Sequence, residues 1–128
     1  MLQHISAFSG FSVKDIGQAK DFYENVLGLA IEQSSEGLQV QFQDGKEVFL
    51  YPKQDHAPAT YTVLNFVVED INTAVDQLAQ KGVTLENYDS GPMKADEKGI
   101  YRGKAAGYGP DIAWFKDPSG NILSLIQN

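Results

Sequence analysis

The chain has no cysteine, two histidines and one tryptophan in 128 residues, and no apolar stretch long enough to cross a membrane as a helix. Without cysteine there is no disulfide framework, no thiolate nucleophile and no cysteine-type zinc site. A membrane-spanning helix needs about 18 or more consecutive apolar residues, so none is expected. Basic residues are also scarce. Ten lysines and arginines stand against 17 acidic residues, a net charge of −7, and they form no run. A phosphate backbone is repelled by such a field on average, which argues against a nucleic-acid partner. The start Met1-Leu2-Gln3-His4-Ile5-Ser6 lacks the basic-then-apolar pattern of a secretory signal, so a cytoplasmic location is expected. What the chain does have is 42% hydrophobic residues, enough for the core of one small domain.

The main organisational feature is an internal repeat. Phe11-Ser12-Val13-Lys14-Asp15-Ile16 is echoed 55 residues later by Phe66-Val67-Val68-Glu69-Asp70-Ile71, and Ala19 is echoed by Ala74. Behind each aspartate the apolar residues fall at helical spacing. They are Ile16, Ala19, Phe22, Tyr23, Val26 and Leu27 in the first copy, and Ile71, Ala74, Val75, Leu78 and Ala79 in the second. Asp15 and Asp70 suit the N-cap, where a short acceptor meets the free amides of the first turn. Gly28 and Gly82 suit the left-handed residue that ends a helix.

Strands are expected at 29–33, 38–42 and 48–51 in the first half, with Asp44-Gly45 as a hairpin turn. In the second half they are expected at 84–88, 112–116 and 122–127, with Asp117-Pro118-Ser119-Gly120-Asn121 as the matching turn. This gives an α+β chain of two tandem βαβββ modules, about 1–53 and 62–128, joined by a polar connector at 54–61. Residues 90–110 carry five glycines and two prolines, and their length suggests a functional flap over one end of the sheet.

Val13-Lys14-Asp15-Ile16, Ala19-Lys20-Asp21-Phe22-Tyr23, Val26-Leu27-Gly28-Leu29 and the closing Asp117-Pro118-Ser119-Gly120-Asn121 resemble the signatures of the glyoxalase, bleomycin-resistance and extradiol-dioxygenase superfamily. The resemblance covers nearly the whole chain. It implies one domain with a curved mixed sheet around a cavity, often in a homodimer. It also implies, for metal-dependent members, one His, Glu or Gln on each of four strands. Carried over, those positions are Phe8, Leu50 (or Phe49 or Tyr51 in a shifted register), Val63 and Ser124, and none is a usual ligand for a divalent metal. His4 shares strand parity with Phe8 but is expected to be an ordinary N-terminal histidine. No metal and no other cofactor is therefore expected.

Strand parity then gives the cavity lining. It places Ser6, Phe8, Gly10 and Ser12 inward on the first strand, Val63, Asn65 and Val67 on its counterpart, and Ile112, Trp114, Ile122, Ser124 and Ile126 on the later strands. Phe8, Ser12, Asn65, Ile112, Trp114 and Ser124 are the expected ligand contacts, in a mixture that suits a small apolar or aromatic molecule. For Val63, Val67 and Ile126, plain core packing is the more ordinary role. Asp96 and Glu97 in the flap, and His56 beside Asp55 in the connector, are the candidates for acid–base chemistry. Their ordinary alternative is a solvated loop tip or turn. Three functions stay open. They are metal-free binding of a small molecule, a metal-independent isomerase or lyase using a flap carboxylate, and a metal-dependent lyase or dioxygenase whose ligands lie elsewhere.

Overall fold

The computed structural model describes residues 1–89 and 93–128. The chain divides into two compact units, Met1–Pro58 and Ala59–Asn128, and the boundary falls inside the segment read as a connector. Among the described residues no helix is long and apolar enough to cross a membrane.

The first unit runs β1 (Ser9–Val13), α1 (Ile16–Asp21), β2 (Ala30–Gln33), β3 (Leu38–Gln41) and β4 (Glu47–Pro52). Its strands form one mixed sheet in the order β1-β4-β3-β2, with β1 parallel to β4 and the other pairs antiparallel. The second unit runs β5 (Thr62–Val67), α2 (Ile71–Gln80), β6 (Tyr101–Arg102), α3 (Gly103–Ala106), β7 (Asp111–Lys116) and β8 (Ile122–Gln127). Its order is β5-β8-β7-β6, again with the first strand at one edge and parallel to the last. The repeat in the sequence is thus a repeat of topology, and the expected α+β class and tandem modules are present.

Both helix starts follow from their aspartates. The Asp15 carboxylate accepts from the Gln18 amide at 2.9 Å. Asp70 accepts from the amides of Asn72 and Thr73 and from the Thr73 hydroxyl at 3.0–3.2 Å. Those bonds hold the Asp70 carboxyl below the ordinary aspartate value, the Thr73 amide contributing most. Gly28 and Gly82 end the helices at φ 74° and 81°, a conformation that side-chain-bearing residues adopt only with strain. The first helix is less uniform than its periodicity suggests. Beyond Asp21 it widens into a π-helical turn, Phe22–Val26, closed by the Leu27 amide on the Phe22 carbonyl at 2.9 Å. The wider turn turns two neighbouring aromatics inward together, and Phe22 and Tyr23 are both buried, edge to face at 5.3 Å.

Three strand expectations change. The first strand begins at Ser9, so Ser6 and Phe8 precede it. Leu50 is fully buried with Leu38, Val40 and Val48, which leaves Phe49 and Tyr51 on the other face of β4. No strand forms at 84–88. There the Glu86 amide reaches the Trp114 carbonyl of β7 at 2.8 Å, but the next amide of that parity, Tyr88, goes to the Tyr101 hydroxyl, so a side chain takes the bond that would have continued a ladder. The fourth strand of this sheet is instead the short β6, drawn from the segment read as a flap. Residues 90–92, the first three of that flap, lie outside the described residues.

The turn before β8 is held by Asp117, which is 5% exposed. Its carboxylate accepts from the Ser119 and Asn121 amides, each at 2.9 Å, and from the Asn121 side chain at 3.0 Å. Asp117→Ala strands those buried donors and is expected to lower unfolding stability by about 2–4 kcal/mol, read as a lower urea midpoint at unchanged slope.

Candidate functional site

Each sheet has one face under its helix and one face without a helix, the open face, although in the second unit Ser124 and Tyr101 on that face are buried by their neighbours. In the second unit the covered face carries Leu64, Phe66, Ala113, Phe115, Leu123 and Leu125, of which Ala113, Phe115 and Leu123 are fully buried. Side chains alternate along strands, so the partners of the opposite parity share the open face. The register fixes them. Trp114 and Asn65 both lie opposite Ser124, while Ile112 and Val67 both lie opposite Ile126. Four expected contacts, Asn65, Ile112, Trp114 and Ser124, therefore stand on one face of one sheet.

A β-bulge between Thr62 and Leu64 alters the fifth position. Thr62 rather than Val63 is opposite Ile122. The Thr62 hydroxyl then accepts the Trp114 indole N–H at 3.0 Å. Beside it the Ser124 hydroxyl donates to the Asn65 side-chain oxygen at 2.6 Å. Two tyrosines complete the aromatic group edge-on to Trp114. Tyr101 has its ring centre at 5.0 Å and Tyr88 at 5.7 Å. The Tyr101 hydroxyl donates to Asn87 at 3.2 Å and accepts the Tyr88 amide, which pins the 87–89 segment against the sheet. Burial pushes both phenols above the ordinary tyrosine value, aided by Glu86 at Tyr88 and by Asp89 at Tyr101, so both stay protonated at neutral pH.

In the first unit the open face holds Ser12 and Gly10 on β1, Glu47, Phe49 and Tyr51 on β4, and Gln39 and Gln41 on β3. Phe49 and Tyr51 stack at 6.2 Å, and the 75% exposed Phe8 meets Phe49 edge-on at 6.5 Å. Ser12 and His56 are hydrogen-bonded at 2.6 Å between Oγ and Nδ1, which ties the 53–58 segment to β1. Gly10 is required by close approach, because a Cβ there would lie 2.8 Å from the Phe49 carbonyl oxygen.

The flap carboxylates differ from each other. Glu97 is exposed in a turn. Asp96 accepts from the amides of Lys98 and Ile100 and from Arg102 Nε at 2.8 Å. Arg102 also reaches Asp111 at 3.5 Å and Asn72 of α2 at 2.6 Å. Asp96 is thus part of a lock that fastens β6 and its preceding loop to the helix side. The tyrosines, Thr62, Phe49 and Tyr51 went unselected as ligand contacts in the sequence. Tyr101 sat in a segment with no strand pattern, and the Thr62 position depends on a bulge that no periodicity announces.

The positions that the family resemblance marks for a metal do not fit one. Phe8, Phe49, Thr62, Asn65 and Ser124 offer no imidazole or carboxylate, and no group of three His, Cys, Asp or Glu among the described residues is arranged to hold one.

For Asp96, burial pushes the carboxyl up, but the Ile100 and Lys98 amides and the Arg102 guanidinium outweigh it and hold it below the ordinary value. A carboxyl depressed in the folded state contributes stability above its unfolded value and loses it as pH falls through the folded value. Amide-exchange protection at residues 98–102 is therefore expected to hold at neutral pH and to drop below about pH 4, the ordinary aspartate range. Asp96→Asn is expected to show the low protection already at pH 7.

Solved structures share this fold at low sequence identity. A glyoxalase-family protein from Bacillus anthracis aligns over 100% of this chain and 99% of its own, at 17% identity and TM-score 0.67. The antibiotic-binding protein TnmS3 from Streptomyces sp. CB03234 aligns over 98% of both chains, at 24% identity and TM-score 0.64. A superfamily member from Sphaerobacter thermophilus DSM 20745 aligns over 97% of this chain and 98% of its own, at 23% identity and TM-score 0.65. No curated protein sequence matches. The family profile matches residues 2–125, and with the tandem modules in place the chain belongs to the Glyoxalase/Bleomycin resistance protein/Dioxygenase superfamily.

Proposed function

We propose that this protein binds a small apolar or aromatic molecule on its open sheet faces without a metal. The observation that carries the reading is the Trp114 face. An indole whose N–H is already taken by Thr62 stands beside the Ser124–Asn65 pair. Such a group offers a flat stacking surface together with an amide whose N–H groups can fix orientation. The lack of an imidazole or carboxylate at Phe8, Phe49, Thr62, Asn65 and Ser124 supports metal independence. The antibiotic-binding function named for TnmS3 supports a small-molecule role within the same fold. The cytoplasmic location and the homodimer expected from the sequence belong to the same reading. Exposed Met1, Leu2, Ile5 and Phe8, which precede β1, are apolar surface that a second copy would cover.

Binding is read most directly through Trp114, the one tryptophan. Titration with a panel of planar aromatic compounds is expected to quench its emission, and the bound compound is expected to return unchanged. Trp114→Ala is expected to weaken binding, followed by calorimetry, by about 1–3 kcal/mol, as for a half-buried aromatic anchor. Stoichiometric zinc, nickel, iron or manganese in protein purified without chelator, held by these strands, contradicts the reading, and so does turnover of the bound compound.

A further inference from the structure

The first unit presents a different chemistry from the Trp114 face. Along β4 the open-face residues are Glu47, Phe49 and Tyr51, an acid followed by two stacked rings. The Glu47 carboxylate is flanked by amides. Gln39 donates to one oxygen, and Gln41 donates to the other at 3.4 Å. Both donors are neutral, so they orient the carboxylate and leave its charge in place. Among the described residues no lysine or arginine pairs with Glu47, and its chain neighbour Lys46 lies 3.7 Å from Asp44 instead. An oriented, unpaired carboxylate next to an aromatic strip is complementary to one kind of small molecule.

We infer that the open face of the first unit selects an aromatic ammonium, its ring on Phe49 and Tyr51 and its positive group at Glu47. The geometry sets the spacing. Glu47 and Phe49 are two residues apart on one strand, about 7 Å, which is the ring-to-nitrogen distance the ligand must span. Gly10, opposite Phe49, adds no side chain over the ring, and the neighbouring Phe8 meets Phe49 only edge-on, extending the aromatic strip. The ring faces also favour a cation by their own charge distribution. The charge of −7 adds a long-range attraction, but an unspecific one that salt screens. The Glu47 contribution is local and survives moderate salt better. This inference rests on the small-molecule-binding reading and adds the charge and length of the ligand.

Three matched probes test it: 2-(2-naphthyl)ethylamine, its N-acetyl derivative and 3-(2-naphthyl)propionic acid. They share a ring and differ in charge. Calorimetry in 0.15 M salt is expected to show the amine binding about five- to tenfold more tightly than the amide, with the acid weakest. Glu47→Gln is exposed enough to leave the fold intact, as circular dichroism would verify, and is expected to bring the amine to the level of the amide. Amine and amide binding equally overturns the inference while leaving the small-molecule reading in place. An amine preference that persists in Glu47→Gln also overturns it, since the preference then comes from the rings or the net charge and not from Glu47. Absence of binding by all three overturns it as well, and the aromatic panel read by Trp114 then decides the broader reading separately.

Discussion

A strand has two faces, and a helix can cover only one of them. In both units the covered face takes nearly all of the fully buried apolar side chains of the strands: Val13, Leu38, Val40 and Leu50 in the first, Ala113, Phe115 and Leu123 in the second. Burial of these residues is the main stabilising term, at about 25 cal/mol for each Å² of apolar surface removed from water. Because side chains alternate, that burial also dictates which residues remain outside. The open faces carry rings, amides and hydroxyls because the core has claimed the other parity. A slip of one residue in any strand would bury Trp114 or Ser12 and expose Phe115 or Val13, so the core holds the site in register.

Much of this was legible from the chain. The 55-residue repeat, the capping aspartates and the terminating glycines each depend on local chemistry, and each is where the spacing puts it. The placement of Trp114 with Asn65 and Ser124 needed only parity and the two turn signals. The rest depended on contacts between distant residues. The bulge at Thr62 is a departure from alternation set by pairing with β8, so it exchanged Thr62 for Val63. Leu50 was read into the wrong parity because neighbouring Val48, Phe49 and Tyr51 are all apolar and give no alternation. The strand expected at 84–88 keeps one sheet-like bond, from Glu86 to Trp114, and stops where the distant Tyr101 hydroxyl takes the Tyr88 amide. Asp96 looked like a loop-tip acid, yet its partner Arg102 and the helix residue Asn72 make it part of a fastening.

That fastening and the Asp117 turn divide the second unit by stability. The Asp117 turn is buried and closes β7 onto β8, the central pair. The 93–110 segment adds the two-residue β6 and the short α3, and beyond the buried Ile100 and Tyr101 it is tied down by part-exposed ion pairs, which contribute less than buried contacts. Local opening is expected to start there and leave the central strands intact. Tyr101 links the two regions, since its ring lies against Trp114 while its hydroxyl holds the 87–89 segment.

The hydrogen bond from Trp114 to Thr62 has one more implication. An indole with a free N–H discriminates sharply, because any partner lacking an acceptor leaves that donor stranded. With the donor satisfied internally, the ring presents only polarisable surface, and selection at this position falls on flatness and size rather than on functional groups. Such a surface tolerates many scaffolds at modest affinity. Under the proposed binding role, chemical breadth at Trp114 is set by one threonine hydroxyl through its bond to the indole.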